Sequence, residues 1–359
     1  PVVIAPEEGW PLDTPMDELL VPRNSWDECV DFVVNELKLA VENLPETQPD
    51  VEFGRPTQSA AYAVMSRLLL YNASPLFNGN ASYSDFANPR TGEPYINPVA
   101  DPSKWAEAAW AAKKVIDCGL YELYTVEADE DTPEIPSTID DEFTGNYPNG
   151  VGGIDPYKSY SQLFNGTVQA SDNPELIFGR ASNALTDWVQ AMMPYQMGSQ
   201  GSSIYNITQK LVDAYYMVDG KTPENSSTEY PYRDNYYSLS TETFSGYQIP
   251  SHTYGWYLNR EARFYATVGF NNSYYYGIST TNTSKKEFIC KFFVDDPNNG
   301  KNQVRNNSGT QDQYCMTGYL CRKWLHNEDS YEENGLIRNK VWMDYRLAEI
   351  YLNYAEALN

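Results

Sequence analysis

Ser25-Trp26-Asp27-Glu28-Cys29-Val30-Asp31-Phe32-Val33-Val34-Asn35-Glu36-Leu37-Lys38-Leu39-Ala40-Val41-Glu42-Asn43-Leu44 is the stretch that sets the fold class. Its first four residues form a capping box. The Ser25 hydroxyl and the Glu28 carboxylate can each take up a backbone N–H left free where a helix begins. Apolar side chains then recur at Trp26, Cys29, Val30, Val33, Val34, Leu37, Val41 and Leu44, which is one face of a helix. Pro45 ends it.

The same grammar repeats on either side of the loops that follow. From about Thr57 to Tyr71 a second helix turns Ala60, Ala61, Val64, Met65, Leu68 and Leu69 inward, and Asn72-Ala73-Ser74-Pro75 stops it. Asp101-Pro102 opens a third, with Asp as cap and Pro at the first helical position. Its face is Trp105, Ala108, Ala109, Ala112, Val115 and Ile116, and Gly119 closes it. Alanines on these faces let helices approach closely, and an early aromatic with later alanines resembles tetratricopeptide units, whose period is about 34 residues. The loop from Phe77 to Val99 loosens that spacing. At the far end, from about Asp344, Leu347, Ile350, Tyr351, Tyr354 and Leu358 line one side of a last helix. The expected class is mainly α: a scaffold of tetratricopeptide-like helix pairs with long irregular loops and a few short β-strands.

Between these helices the rhythm fades. Residues 127–175 are rich in Asp, Gly, Pro, Asn and Ser, which predicts long ordered loops or a flexible excursion. A short helix is expected from Thr208, with Leu211, Val212, Tyr215 and Tyr216 as its stripe and Asp219-Gly220 as its stop. Phe264–Val268 and Phe288–Phe293 read as short strands. The organisation expected is a helical scaffold over 1–126, a loop-rich ligand-facing region over 127–343 and a final scaffold helix over 344–359, together one compact domain.

Charge and composition exclude several functions. The net charge is −24, from 25 basic and 49 acidic residues, and Lys113-Lys114 and Lys285-Lys286 are short pairs, not runs. Such a chain repels phosphate backbones, so nucleic acid is not an expected partner. No apolar run nears the roughly 20 residues of a membrane-spanning helix. The first residues, Pro1-Val2-Val3-Ile4-Ala5-Pro6, do not read as a signal peptide. Any membrane contact is expected through a lipid anchor outside this sequence.

With His252 and His326 as the only histidines, a His-based triad or multi-His metal site has little material. There is no nucleophile elbow, Walker A loop or dinucleotide fingerprint. The acidic groups at Glu127–Glu134 and at Asp140, Asp141 and Glu142 sit in polar loops, where solvated charge is the ordinary reading. They offer the paired carboxylates that a glycosidase needs and the hard oxygens that calcium favours, without the spacing of either. No catalytic residue and no cofactor is expected. Of the five cysteines, Cys29 and Cys118 read as buried hydrophobes, while Cys315 and Cys321, six apart, can bridge in an oxidising compartment, though nothing in the sequence requires it.

Tyrosine contributes 30 residues, many in irregular segments. A flat apolar ring with a hydroxyl at its tip suits polar molecules with apolar faces, sugars above all. The candidate ligand-binding residues are Trp188 and Tyr195, which flank a Met-rich loop, then Tyr254, Trp256 and Tyr257, and the run Tyr274, Tyr275 and Tyr276. The competing reading of each is that it packs a loop-rich core.

Several segments resemble the SusD/RagB family of outer-membrane nutrient-binding lipoproteins. Arg346-Leu347-Ala348-Glu349-Ile350-Tyr351-Leu352-Asn353-Tyr354-Ala355-Glu356-Ala357-Leu358-Asn359 is similar to that family's most recognisable signature. Asn259-Arg260-Glu261-Ala262-Arg263-Phe264-Tyr265-Ala266-Thr267-Val268 resembles a second, usually written with Asp-Pro where this chain has Glu261-Ala262. Leu211-Val212-Asp213-Ala214-Tyr215-Tyr216-Met217-Val218-Asp219-Gly220-Lys221 resembles a third, and Gly54-Arg55-Pro56-Thr57 leading to Leu70-Tyr71-Asn72-Ala73-Ser74 a fourth. Asn173-Pro174-Glu175-Leu176-Ile177-Phe178 and Gly318-Tyr319-Leu320-Cys321-Arg322-Lys323-Trp324 are fainter echoes.

The signatures read as structural. Arg346 can pair with Glu349, Tyr351 and Ala355 can pack a neighbouring helix, and Arg260, Glu261 and Arg263 can form a local ion-pair network. The resemblance implies a surface-exposed, lipid-anchored outer-membrane protein of a Gram-negative bacterium. It implies an oligosaccharide ligand, no bond made or broken, and a SusC-like TonB-dependent transporter as partner. A peptide ligand on the same scaffold is the alternative, and a surface glycosidase the third.

Overall fold

The structure, a computed structural model, describes residues 13–16, 23–182, 185–194, 197, 203–292, 315–330, 332 and 335–359. Its contacts divide the chain into two compact units. One comprises Pro1–Leu123, Pro174–Arg180 and Met343–Asn359, and the other Tyr124–Asn173 and Ala181–Trp342.

The first unit is helical. α1 spans Trp26–Asn43, α2 Gln58–Ala73, α3 Ser103–Asp117 and α8 Leu347–Leu358. Consecutive helices pack side by side, and α8 returns from the end of the chain onto α3 and α2. The capping box at Ser25 and Glu28 forms as the sequence predicts, with both reciprocal bonds made. Thr57 caps α2 through the Ala60 N–H.

Buried alanines 60, 61 and 63 on α2 and 108, 109, 111 and 112 on α3 bring these helices close. Val30, Met65, Leu69 and Leu70 fill one core, and Val115, Ile177 and Ile350 another. The class is mainly α, with tetratricopeptide-like helix pairs.

The last signature packs differently from its local reading. Arg346 pairs with Glu175, not Glu349. Glu349 instead takes a two-pronged bond from Arg67, at 2.6 and 2.7 Å, while Arg67 also donates to the Asp344 carbonyl and covers the Tyr345 ring. Leu347, Ile350 and Asn353 point inward, so Tyr351 is left exposed.

The second unit carries α4 (Pro156–Asn165), α5 (Thr186–Met192), α6 (Gln209–Ala214) and α7 (Ala262–Thr267). Its strands include the hairpin β2 (Glu242–Phe244) and β3 (Tyr247–Ile249). β4 (Val268–Gly269) pairs with β7 (Leu320–Cys321), and β5 (Ser273–Tyr276) with β6 (Glu287–Cys290), all antiparallel. β1 (Leu176–Ser182) and β8 (Lys340–Arg346), most of whose residues belong to the first unit, pair with one another.

One aromatic core gathers Tyr247, Tyr257, Phe264, Tyr265 and Phe270, and a second gathers Val189, Met193, Met197, Tyr275, Cys290 and Leu320.

Two expectations are corrected here, and one pairing that the sequence left open is decided. The segment read as loop over 127–175 contains α4, capped by Asp155 with Pro156 at its first turn and ended by Gly166 at φ +90°. Phe264–Val268 is not a strand but mostly α7. Its backbone bonds are those of a helical turn: the Phe264 N–H donates to the Glu261 carbonyl at 3.0 Å, and the Val268 N–H donates back to the Phe264 carbonyl. Cys315 and Cys321 are not bridged; Cys315 lies in the second core, while Cys321 faces Val268 across a strand pair.

Candidate functional site

Two loops cross in the second unit and present rings together. The 3-10 turn Gly255–Tyr257 runs so close to the 231–237 loop that a Cβ on Gly255 would sit 2.3 Å from the Arg233 carbonyl. Only glycine permits that crossing. Its N–H donates to the Tyr236 carbonyl, and the Asn235 N–H donates to the Tyr254 hydroxyl.

On this frame Tyr232 lies nearly parallel to Trp256, with centroids 5.9 Å apart and planes 9° apart. Tyr254 meets Trp256 edge-on at 5.4 Å, and Tyr237 tilts against Tyr254 at 5.2 Å. Tyr237 is 52% exposed, and Trp256, Tyr254 and Tyr232 are each partly so. The Trp256 indole N–H donates to the Asp234 carboxylate at 2.5 Å. Ring faces, a carboxylate and an amide side chain at Asn235 thus share one surface.

Arg260 holds this platform from below. It is buried, and Nη1 donates to the Trp256 carbonyl at 3.0 Å. Nη2 donates to the Val212 and Tyr215 carbonyls, closing the C-terminal end of α6. Its guanidinium lies 4.7 Å over Phe264 and 5.7 Å over Tyr232. The local ion-pair network expected at 260–263 is therefore partial: Arg263 pairs with Glu261, while Arg260 serves carbonyls. Burial holds the Arg260 guanidinium below its ordinary value and pushes the Tyr232 phenol up to about 12.

A second ring cluster stands around Trp188. Its indole meets Trp324 at 4.4 Å, Trp342 at 5.3 Å and Tyr205 at 5.8 Å.

The structure therefore brings Tyr254 and Trp256 together at a surface and places Trp188 in a separate cluster. Tyr257 lies in the first aromatic core, stacked on Phe270 at 4.7 Å, and burial raises its phenol above the ordinary value. Tyr275 is 2% exposed, inside the second core. Tyr274 is buried and meets the half-buried Tyr276 ring at 4.7 Å, and the Tyr276 hydroxyl donates to the Gly246 carbonyl. Tyr195 lies outside the described residues.

Sequence reading missed Tyr232, Tyr237 and Asp234, although Tyr230-Pro231-Tyr232-Arg233-Asp234-Asn235-Tyr236-Tyr237 has the same ring-rich, polar-interleaved character that singled out 254–257.

The first unit has an open cleft of about 590 Å³ beside the start of α1. Its polar lining is largely spoken for: Asp27 by Lys104, Glu28 by Ser25, and Asn88 and Asn97 by their own loops. Among the described residues no three His, Cys, Asp or Glu side chains are grouped to hold a metal ion. Lys158 bridges Asp129 and Asp155 in the acidic loop, and Asp140 leads into a short 3-10 turn over Asp141–Phe143. No described helix is long and apolar enough to cross a membrane.

The model of the SusD family matches residues 149–359. Among solved structures, the chain is similar to BT4246, with TM-score 0.69, 24% identity, 97% of this chain and 58% of that one covered. It is also similar to a SusD-like protein (BF3747) from Bacteroides fragilis NCTC 9343, with TM-score 0.59, 24% identity, 97% of this chain and 51% of that one covered. The chain thus spans little more than half the length of the structures it matches, and at this identity the likeness is one of fold. No curated protein matches it.

Proposed function

This chain belongs to the SusD family, and on that footing we propose that it captures an oligosaccharide on the Tyr232–Trp256 platform without making or breaking a bond. The observation that carries the reading is Trp256, partly exposed, flanked by two tyrosine rings and fixed at its N–H by Asp234. Sugar rings offer C–H faces to such indoles, while Asp234 and Asn235 can bond hydroxyls. The protein delivers that ligand to a SusC-like TonB-dependent transporter, from a lipid-anchored position on the outer-membrane surface. The family supplies the motive for both statements.

Calorimetric titration of the purified protein against an oligosaccharide panel tests the proposal, with release of reducing ends followed in the same samples. One glycan class should bind saturably and emerge uncut, and Trp256→Ala should weaken it about 10-fold or more. Binding of oligopeptides with no response to any sugar would replace this reading with peptide capture. Release of reducing ends would replace it with hydrolysis.

A further inference from the structure

The cluster around Trp188 is not a simple piece of core. Trp188 comes from α5, Trp324 follows β7 and Trp342 lies in β8. Trp324 and Trp342 are nearly parallel, with planes 7° and centroids 5.9 Å apart, and Trp188 stands across both at 67°. Trp342 is 39% exposed and Tyr205 38%. Burial alone gives no reason to gather three rings around Trp188 and leave two of them this bare.

A cation adjoins these rings. The Lys323 ammonium lies 3.8 Å over Phe164, 5.2 Å over Trp324 and 5.4 Å over Tyr160. Its side chain is half-buried, and among the described residues no ion pair includes it. The preceding Arg322 is buried, and it too lies outside every described ion pair. Its Nη1 donates to the Tyr247 hydroxyl at 3.1 Å and the Tyr274 carbonyl at 2.9 Å. A chain of net charge −24 thus carries, beside this tryptophan cluster, an ammonium with no described carboxylate partner, while the Arg322 guanidinium turns instead to Tyr247 and Tyr275. Low-dielectric surroundings sharpen the field of Lys323. An indole face beside an ammonium suits a sugar ring that carries its own carboxylate, with the C–H face on the ring and the anion on the cation.

We propose that Trp188, Tyr205, Trp324 and Trp342 form a second carbohydrate platform that takes a uronate residue, with Lys323 as its charged contact. The proposal rests on the glycan-binding reading above and adds a separate surface and a ligand charge.

The test is calorimetry of the protein with galacturonate, glucuronate and mannuronate oligosaccharides and with their methyl esters, which keep the ring and lose the charge. At least one acid should bind roughly 10-fold more tightly than its ester, the scale of one hydrogen bond to a charged group. Lys323→Met should abolish that preference, Lys323→Arg should keep most of it, and Trp342→Ala should weaken acid and ester alike. Unchanged thermal midpoints would confirm that the variants fold. Equal binding of acid and ester, or a preference that survives Lys323→Met, would overturn the proposal. Neutral glycans that bind through Trp256 while no uronate binds would overturn it and leave the first platform standing. No saccharide binding of any kind would overturn both.

Discussion

Arg260 closes the helix to which Val212 belongs: its Nη2 lies 2.8 Å from the Val212 carbonyl, across 48 positions of sequence. The same side chain reaches the carbonyls of Tyr215, Tyr216 and Trp256. Arg260→Met should leave these groups short of donors, at about 1–3 kcal/mol for each one left buried and unpaired. A loss of about 3 kcal/mol or more in urea denaturation is expected. Arg260→Lys should recover less than half, because one ammonium cannot span what the planar fork spans. An Arg260→Met protein as stable as the parent would show that these bonds are not needed.

Gly269 and Tyr275 form a tight contact with a defined remedy. A Cβ at position 269 would lie 1.8 Å from the Tyr275 hydroxyl and 3.0 Å from its ring carbon. That hydroxyl is buried and has no hydrogen-bond partner among the described residues. Gly269→Ala should therefore cost about 1–3 kcal/mol. Tyr275→Phe alone should be neutral or slightly stabilising, and should restore part of the loss when combined with Gly269→Ala. Additive effects of the two changes in thermal unfolding would refute the contact.

Lys340 and Asp329 are an ion pair with both side chains fully buried, at 2.8 Å. Burial pulls the Lys340 ammonium below its ordinary value, against the pull of Asp329. Asp329 also accepts the N–H groups of His326 and Arg338. Asp329→Asn should cost about 3–5 kcal/mol, because it strands a buried ammonium. Asp329→Asn with Lys340→Met should cost less than the two single changes added together. Guanidinium unfolding of the four proteins measures that coupling.

His326 predicts the acid side of the stability profile. Burial, then Arg338, holds its imidazole below the ordinary value of 6.5, and its Nδ1 accepts the Glu328 N–H at 3.0 Å. Below pH 6.5 the unfolded chain takes a proton that the folded one resists, so stability present above that pH is lost as it falls. The carboxylates held low, Glu28, Asp101, Asp129, Glu328 and Glu332, start from 3.8 to 4.5 and act at more acidic pH. The urea midpoint should drop between about pH 7 and 5.5, and His326→Gln should flatten that drop. An equal slope in the variant would remove His326 from the account.

Where structure follows from neighbours in sequence, it could be read directly. The capping box at Ser25 and the alanine faces of α2 and α3 are of that kind. α4 obeys the same rule, with Asp155-Pro156 at its start and Gly166 at its end, but the polar composition around it hid the signal. α7 could not be read this way. An aromatic run favours strand, and only packing against distant residues, which buries Phe264 and Tyr265 together in the first aromatic core, makes it helical. Arg260 was legible as a charge and not as a cap, because its carbonyl partners at 212, 215 and 216 lie 44 to 48 positions away. Tyr254 and Trp256 stood out as a ring-rich run. The meeting of Trp188 with Trp324 and Trp342 has no local trace at all.

The return of α8 onto α2 and α3 has a consequence for how the chain is assembled. Arg67 and Glu349 are 282 positions apart, so the helical unit cannot close until nearly all of the chain up to α8 has been made. At about 5–20 residues per second, the alanine faces of α2 and α3 wait on the order of ten seconds or more for their last cover. Contacts of such long sequence separation are slow to form. A stalled or shortened nascent chain would present those faces to holdases, proteases and other unfinished copies, whereas the second unit is complete before α8 is made.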